Sequence, residues 1–145
     1  MAYQSQAWLA LGCQLSVDDG NGNYLPILEL KVINGPDEKA ATVEVTNQNS
    51  QNRRREYIAG LIDPGSLAFP AANYIPDDPS QDGFTGFYAV FNSGQKRNYN
   101  LSLPNVHHTQ IQLSGIAVSH SKVFDFSREA NFGGEVKITG PVSVS

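Results

Sequence analysis

Alternation with a period of two constrains this chain more than any other feature. In the stretch AWLALGCQLSV the odd positions Leu9, Leu11, Cys13, Leu15 and Val17 are apolar. Leu28, Leu30 and Val32 interleave with Glu29 and Lys31, and Val43 and Val45 with Thr42, Glu44 and Thr46. Tyr99, Leu101 and Leu103 alternate with Asn98, Asn100 and Ser102. Near the end, Val136, Ile138, Val142 and Val144 alternate with Lys137, Thr139, Ser143 and Ser145. Neighbouring side chains of a strand point to opposite faces, so each run predicts a strand with one buried face. Ile111 and Leu113 share one parity, whereas Ile116 and Val118 share the other. A bulge at Ser114-Gly115 would return both pairs to the core and curve the strand.

One segment breaks the alternation. In DDPSQDGFTGFYAVFNSG, Phe84, Phe87, Tyr88 and Phe91 recur at helical spacing, which predicts a short helix over about residues 79–92 packing four rings on one face. Asp78 is placed to cap it, with Pro79 at the first helical position and Gln81 as the capping-box partner. Gly94 supplies a left-handed stop. Gly83 and Gly86 each cost the helix roughly 1 kcal/mol, so it needs a sheet to lie on. The pattern gives six or seven strands and one helix: a mainly β chain, with residues 1–145 forming a single domain.

Composition narrows the function. The chain has 145 residues, 40% of them hydrophobic and 17% charged, with a formal net charge of -4. A chain of this length buries roughly 68–70% of its unfolded surface. The acidic balance argues against a domain built to grip phosphates. Cys13 is the only cysteine, so no internal disulfide is available and folding in a reducing compartment is expected. The N-terminus lacks the basic start and long apolar run of a signal peptide. No stretch approaches the length of a membrane span. Asn100-Leu101-Ser102 reads as a chance glycosylation sequon. His107, His108 and His120 lack a carboxylate or cysteine cluster with ligand spacing, and DDGNGNYLPILE places glycines where a calcium loop needs oxygen ligands. Neither a metal nor a cofactor is expected. No nucleophile stands in a recognisable motif, and Asp77-Asp78 is accounted for by capping.

The remaining puzzle is NQNSQNRRREYIAGLIDPGSL, where an acidic chain places Arg53, Arg54 and Arg55 in a row beside Glu56, Tyr57, Ile58, Leu61 and Ile62. Arginine beside aromatic and aliphatic anchors is an interface signature more than a phosphate signature. About twenty residues here show little periodicity, and a loop of that length is commonly functional or disordered.

Several motifs, in order, resemble those of bacteriophage major tail tube proteins of the long, non-contractile type. They are ILELKVINGPDEKAATVEVTNQNS, RREYIAGLIDPGSLAF, NYIPDDPS before the helix, YNLSLPNV after it and the closing KITGPVSVS. The likeness spans about residues 26–143. It implies two packed antiparallel sheets, sandwich- or barrel-like, with one flanking helix, and subunits that form hexameric rings stacked into a tube. It also implies a structural, non-enzymatic virion protein located in the tail and assembled in the host cytoplasm. Its partners would be further copies of itself and the tape measure, tail terminator and tail tip proteins, with DNA passing through the lumen without specific binding. Pro70 departs from the family pattern by interrupting the strand after Gly65. The immunoglobulin-like domain that some relatives carry is not expected here.

On this reading residues 47–65 are an assembly loop. Arg53, Arg54 and Arg55 would pair with acids of neighbouring subunits, and Tyr57, Ile58 and Leu61 would supply buried contact. Glu29, Glu44 and Glu135, each on a polar strand face, are candidates for an acidic lumen wall. A contractile-tail or secretion tube remains an alternative system. A β-sandwich binding module that stays monomeric is the alternative class.

Overall fold

The computed structural model describes residues 4–145. Ten strands and one helix follow in the order β1 (Gln14–Asp18), β2 (Tyr24–Pro26), β3 (Leu30–Asn34), β4 (Lys39–Glu44), β5 (Tyr57–Asp63), β6 (Ser66–Asn73), α1 (Phe87–Ser93), β7 (Arg97–Ser102), β8 (Gln110–Val123), β9 (Asn131–Ile138) and β10 (Ser143–Val144). Eight strands form one antiparallel sheet in the order β2-β1-β7-β8-β9-β6-β3, with β10 also paired to β8. The chain is thus mainly β, with one helix. The two expected layers are halves of a single sheet that curls on itself. Its end strands β2 and β3 are consecutive in sequence. Within the short link between them the chain changes partners: the Ile27 amide donates to the Leu15 carbonyl, and the Glu29 carbonyl accepts from the Asn73 amide.

The core fills the space inside this curl. Leu15, Val17, Tyr99, Leu101, Leu113, Val136 and Ile138 occupy the alternating positions that the sequence predicts. Phe69 is fully buried, edge-on to Phe87 at 4.8 Å and to Phe132 at 5.9 Å. A Cβ at residue 134 would sit 2.6 Å from the Phe69 ring, so Gly134 is what admits these rings against β9. Truncating a core phenylalanine of this kind costs about 3–5 kcal/mol.

The outward positions of β1, β7, β8 and β10 line up in rows. Gln14 faces Ser102, and Ser102 faces Gln110; Ser16 faces Asn100, then Gln112, then Ser143; Asn98 faces Ser114. No lysine, arginine or large apolar side chain stands in these rows.

Several local expectations change. The alternation from Leu9 to Leu11 continues ahead of β1 without forming a strand, and both leucines are exposed. On β3 the half-buried residues are Leu30 and Ile33, because the register with β6 shifts twice; Leu28 and Val32 are exposed. The bulge in β8 falls at Val118, not at Ser114-Gly115: Ala117 faces Val136 and Ser119 faces Glu135. Ile116 and Val118 therefore stay outside. The strand after Gly65 forms despite Pro70, which sits in a bulge where Phe69 pairs with Gly134 and Ala72 with Phe132. A bulge is where a strand tolerates a residue without an N–H.

The helix covers Phe87–Ser93 rather than 79–92, and its N-cap is Gly86. Asp82, not Asp78, organises the turn before it, accepting from the Phe84, Thr85 and Gly86 amides and the Thr85 hydroxyl. Those donors hold its carboxyl below the usual range, the Thr85 amide first among them. Phe87 is buried and Phe91 half-buried against the core, whereas Phe84 is 92% exposed. Gln81 is buried with every polar atom satisfied: its Oε1 accepts from the Ile75 amide, and its Nε2 donates to the Leu28 and Asn73 carbonyls. It ties the segment before the helix to the β2–β3 corner.

Candidate assembly surface

β4 and β5 form a two-stranded sheet of their own, apart from the main one. Every residue of β4 is exposed, and so is every residue of β5 except Gly60. The alternation around Val43 therefore does not mark a buried face. It belongs to a hairpin that projects from the body and packs on itself. Two-stranded hairpins are marginal alone, and this one is rooted firmly. At Gly65, with φ of 75°, a Cβ would run into the Asp37 carbonyl, so the two stems can lie side by side only with glycine there. The Gly65 carbonyl accepts from the Ile138 amide at 3.1 Å, and its amide donates to Asp63 Oδ1 at 2.9 Å.

Register sorts the hairpin's side chains by face. Tyr57 lies opposite Glu44 and Ile62 opposite Ala40, while Ile58 lies opposite Val43. Ala40 and Glu44 share one parity on β4 and Val43 has the other. The extra residue of the β5 bulge, between Ala59 and Ile62, falls at Gly60-Leu61. Tyr57 and Ile62 thus share one face, and Ile58 and Val43 the other. Leu61 is 89% exposed. Both faces and both outer edges of the ribbon are open.

Residues 47–65 are therefore not all loop: Tyr57, Ile58 and Leu61 stand on β5, and the irregular part is the tip before it. That tip is organised by Glu56. Its carboxylate accepts from the Ser50 hydroxyl at 2.8 Å, its amide donates to Thr46 Oγ1 at 2.8 Å, and its carbonyl accepts from the Val45 amide. Glu56 thus holds its own tip together. Arg53 closes a one-turn 3-10 helix with φ of 58°, and Arg54 follows it extended. Arg55 Nε lies 3.9 Å from Glu44 Oε1 in an exposed pair, worth little in water. Arg53 and Arg54 make no ion pair with any described residue.

The helix residues Phe87, Tyr88 and Phe91 come together around His120, which the sequence left unexplained. The three lumen candidates do not come together. Glu29 is in the β2–β3 corner with φ of 69°, its carboxylate held by the Asn73 side-chain amide at 2.9 Å. Glu44 is on the hairpin, and Glu135 faces outward from β9 between Ala68 and Ser119. Within one subunit they stand on three separate elements. Val43 and Ile62 share the exposure of the expected contact residues but were not named among them. Val43 alternates like a core strand, so only the neighbouring arginines hinted at its exposure.

No protein-family model matches the chain, and no curated protein does. Solved structures do: the chain has a tail-tube-like fold. It is similar to a chain of the virion of a native gene transfer agent particle, with a TM-score of 0.74, 18% identity, and 96% of this chain and 99% of that one covered. A chain from the C6-symmetric tail of an empty gene transfer agent particle matches with a TM-score of 0.74, 21% identity and the same coverage. A chain of the six-fold symmetrised anti-feeding prophage baseplate matches with a TM-score of 0.75, 15% identity, and 98% and 97% covered.

Proposed function

We propose that this protein is a structural tube subunit of a phage-type tail, which self-assembles into stacked hexameric rings and forms the conduit for DNA. The observation that carries this is the β4–β5 hairpin. It holds Val43, Tyr57, Ile58, Leu61 and Ile62 half or more exposed to solvent, outside the buried core. Exposed apolar side chains on both faces fit insertion between neighbouring copies, and open strand edges invite pairing with another chain. The fold likeness to chains of six-fold particles supports the ring. Arg53 and Arg54, which make no ion pair with any described residue, would meet acids of the next subunit. The tape measure, terminator and tip proteins would bound the tube, placing the protein in the virion tail after assembly in the host cytoplasm.

The non-contractile type is favoured by the sequence motifs. Chains of an extracellular contractile injection system share the fold as well, and a sheath around native tubes would decide for the contractile type. The central test is the double variant Arg54→Glu, Arg55→Glu. Wild-type protein should give hollow tubes by negative-stain microscopy. The variant should remain dispersed, or give tubes that fall apart at moderate salt. Tubes of normal length and salt resistance would remove the arginines from the assembly contact.

A further inference from the structure

We infer that the polar outer face of β1, β7, β8 and β10, free of lysine and arginine across its rows, lines the bore, where it acts as a nearly neutral wall past which a polyanion slides. The inference rests on the tube reading and puts a polar, uncharged set of rows where the sequence reading put acids. The rows through Ser16, Asn100, Gln112 and Ser143 present only amides and hydroxyls, and some bond to one another: the Ser114 hydroxyl donates to Asn98 Oδ1 at 2.6 Å. The chain has ten lysines and arginines and fourteen acids, yet the only acid with the same outward parity on these strands is Asp18, at the margin opposite Tyr24.

Two other uses suit this face poorly. As a contact between copies it would bury many polar groups with no apolar gain, and polar groups are costly to desolvate. The apolar side chains that reward contact are on the hairpin, at Phe126, and at Ile116 and Val118, which share the outer side of β8 but lie beyond the last polar row at Ser114. As the outer skin of a particle it would lack the mixed charge that keeps surfaces apart in solution. A bore has the opposite requirement. Affinity for nucleic acid comes chiefly from cations that displace counterions, and this face has none. Amides and hydroxyls keep water at the wall, and a hydrogen bond exchanged with water holds a phosphate only weakly.

Thiol accessibility in assembled tubes tests the assignment. Cys13 is replaced by alanine, and Gln112→Cys or Ser143→Cys supplies the only thiol; both positions are exposed in the subunit. Dispersed subunits should react with N-ethylmaleimide and with a maleimide carried on a large polyethylene glycol. In tubes the small reagent should still react, and reaction with the large one should be lost except at tube ends. Reaction with both reagents would put the face on the outside, and reaction with neither would put it between subunits; either result overturns the inference. If both variants and the parent form no tubes, the assembly reading itself fails, and this assignment falls with it.

Discussion

His120 sits among five aromatic rings: Phe132 stacked at 5.3 Å, Phe87 stacked at 6.0 Å, Tyr88 edge-on at 4.9 Å, and Tyr74 and Phe91 at 6.2 Å. Neither ring nitrogen has a hydrogen-bond partner. Burial lowers the imidazole pKa, and the charge of Lys122, whose Nζ lies over the Tyr88 ring, lowers it further. The sign of the linkage follows. Below the unfolded value of about 6.5 the unfolded chain binds a proton that the folded one resists, so stability falls as the pH drops through that value. His120→Leu should flatten this part of the profile. Denaturant melts of the two proteins between neutral and mildly acidic pH check it, and an unchanged slope in the variant would show that other groups carry the acid sensitivity. The exposed Glu129 responds differently. Its hydrogen bond to Lys31 lowers its pKa to about 2, so any contribution from that pair persists until the medium is strongly acidic.

At the scale of elements, the hairpin separates stability from assembly. Ile58 and Ile62 lie on opposite faces and neither supports the core. Ile58→Ser with Ile62→Ser should leave the melting of the dispersed subunit within about 0.5 kcal/mol of wild type per site, while pelletable tubes disappear. A subunit that unfolds with the double change would mean that the hairpin packs on its own body. Elements whose environment is set by their own pattern were legible in the sequence. Strand β7 buries Tyr99 and Leu101 as its alternation requires, and the helix turns Phe87 and Phe91 inward as its spacing requires. Phe84 was misread because Asp82 draws the preceding residues into turns that end at Gly86, so the helical spacing does not extend back to it. The bulge was misplaced for a related reason. Parity alone assumes that every apolar residue seeks the core, and Ile116 and Val118 do not. The hairpin positions are the least legible, because alternation is the same whether a face meets the core or another molecule.

For the whole molecule, strand register sets a direction. The hairpin leaves the body where β3 ends and β6 begins, beside the end of β9. The β8–β9 connection, with Phe126 fully exposed, lies at the opposite end of the same strands. Unlike surfaces at opposite ends favour head-to-tail contact, which closes into rings or extends without limit. Subunits whose tip, residues 45–56, is replaced by a two-residue Asn-Gly turn should still offer their other end. Added at a small fraction of wild type, they should cap growth and shorten tubes out of proportion to their share, as measured by microscopy. Shortening only in proportion would argue against directional growth. The path by which the sheet's two end strands come to be joined was beyond reach of the sequence. It depends on the β2–β3 corner, where Gln81 and Glu29 hold the link from a distance that no local pattern records.

The unsupported hairpin makes timing part of the chemistry. If the hairpin is the assembly contact proposed above, the subunit shows that contact bare and unshielded from the moment it folds. On that reading, whether a fresh pool becomes an ordered filament or a precipitate would be decided by how soon each copy meets a template end. Supply of starting ends and rate of synthesis would then have to be matched, and overproduction without such ends would favour tangled pairing along the open ribbon edges.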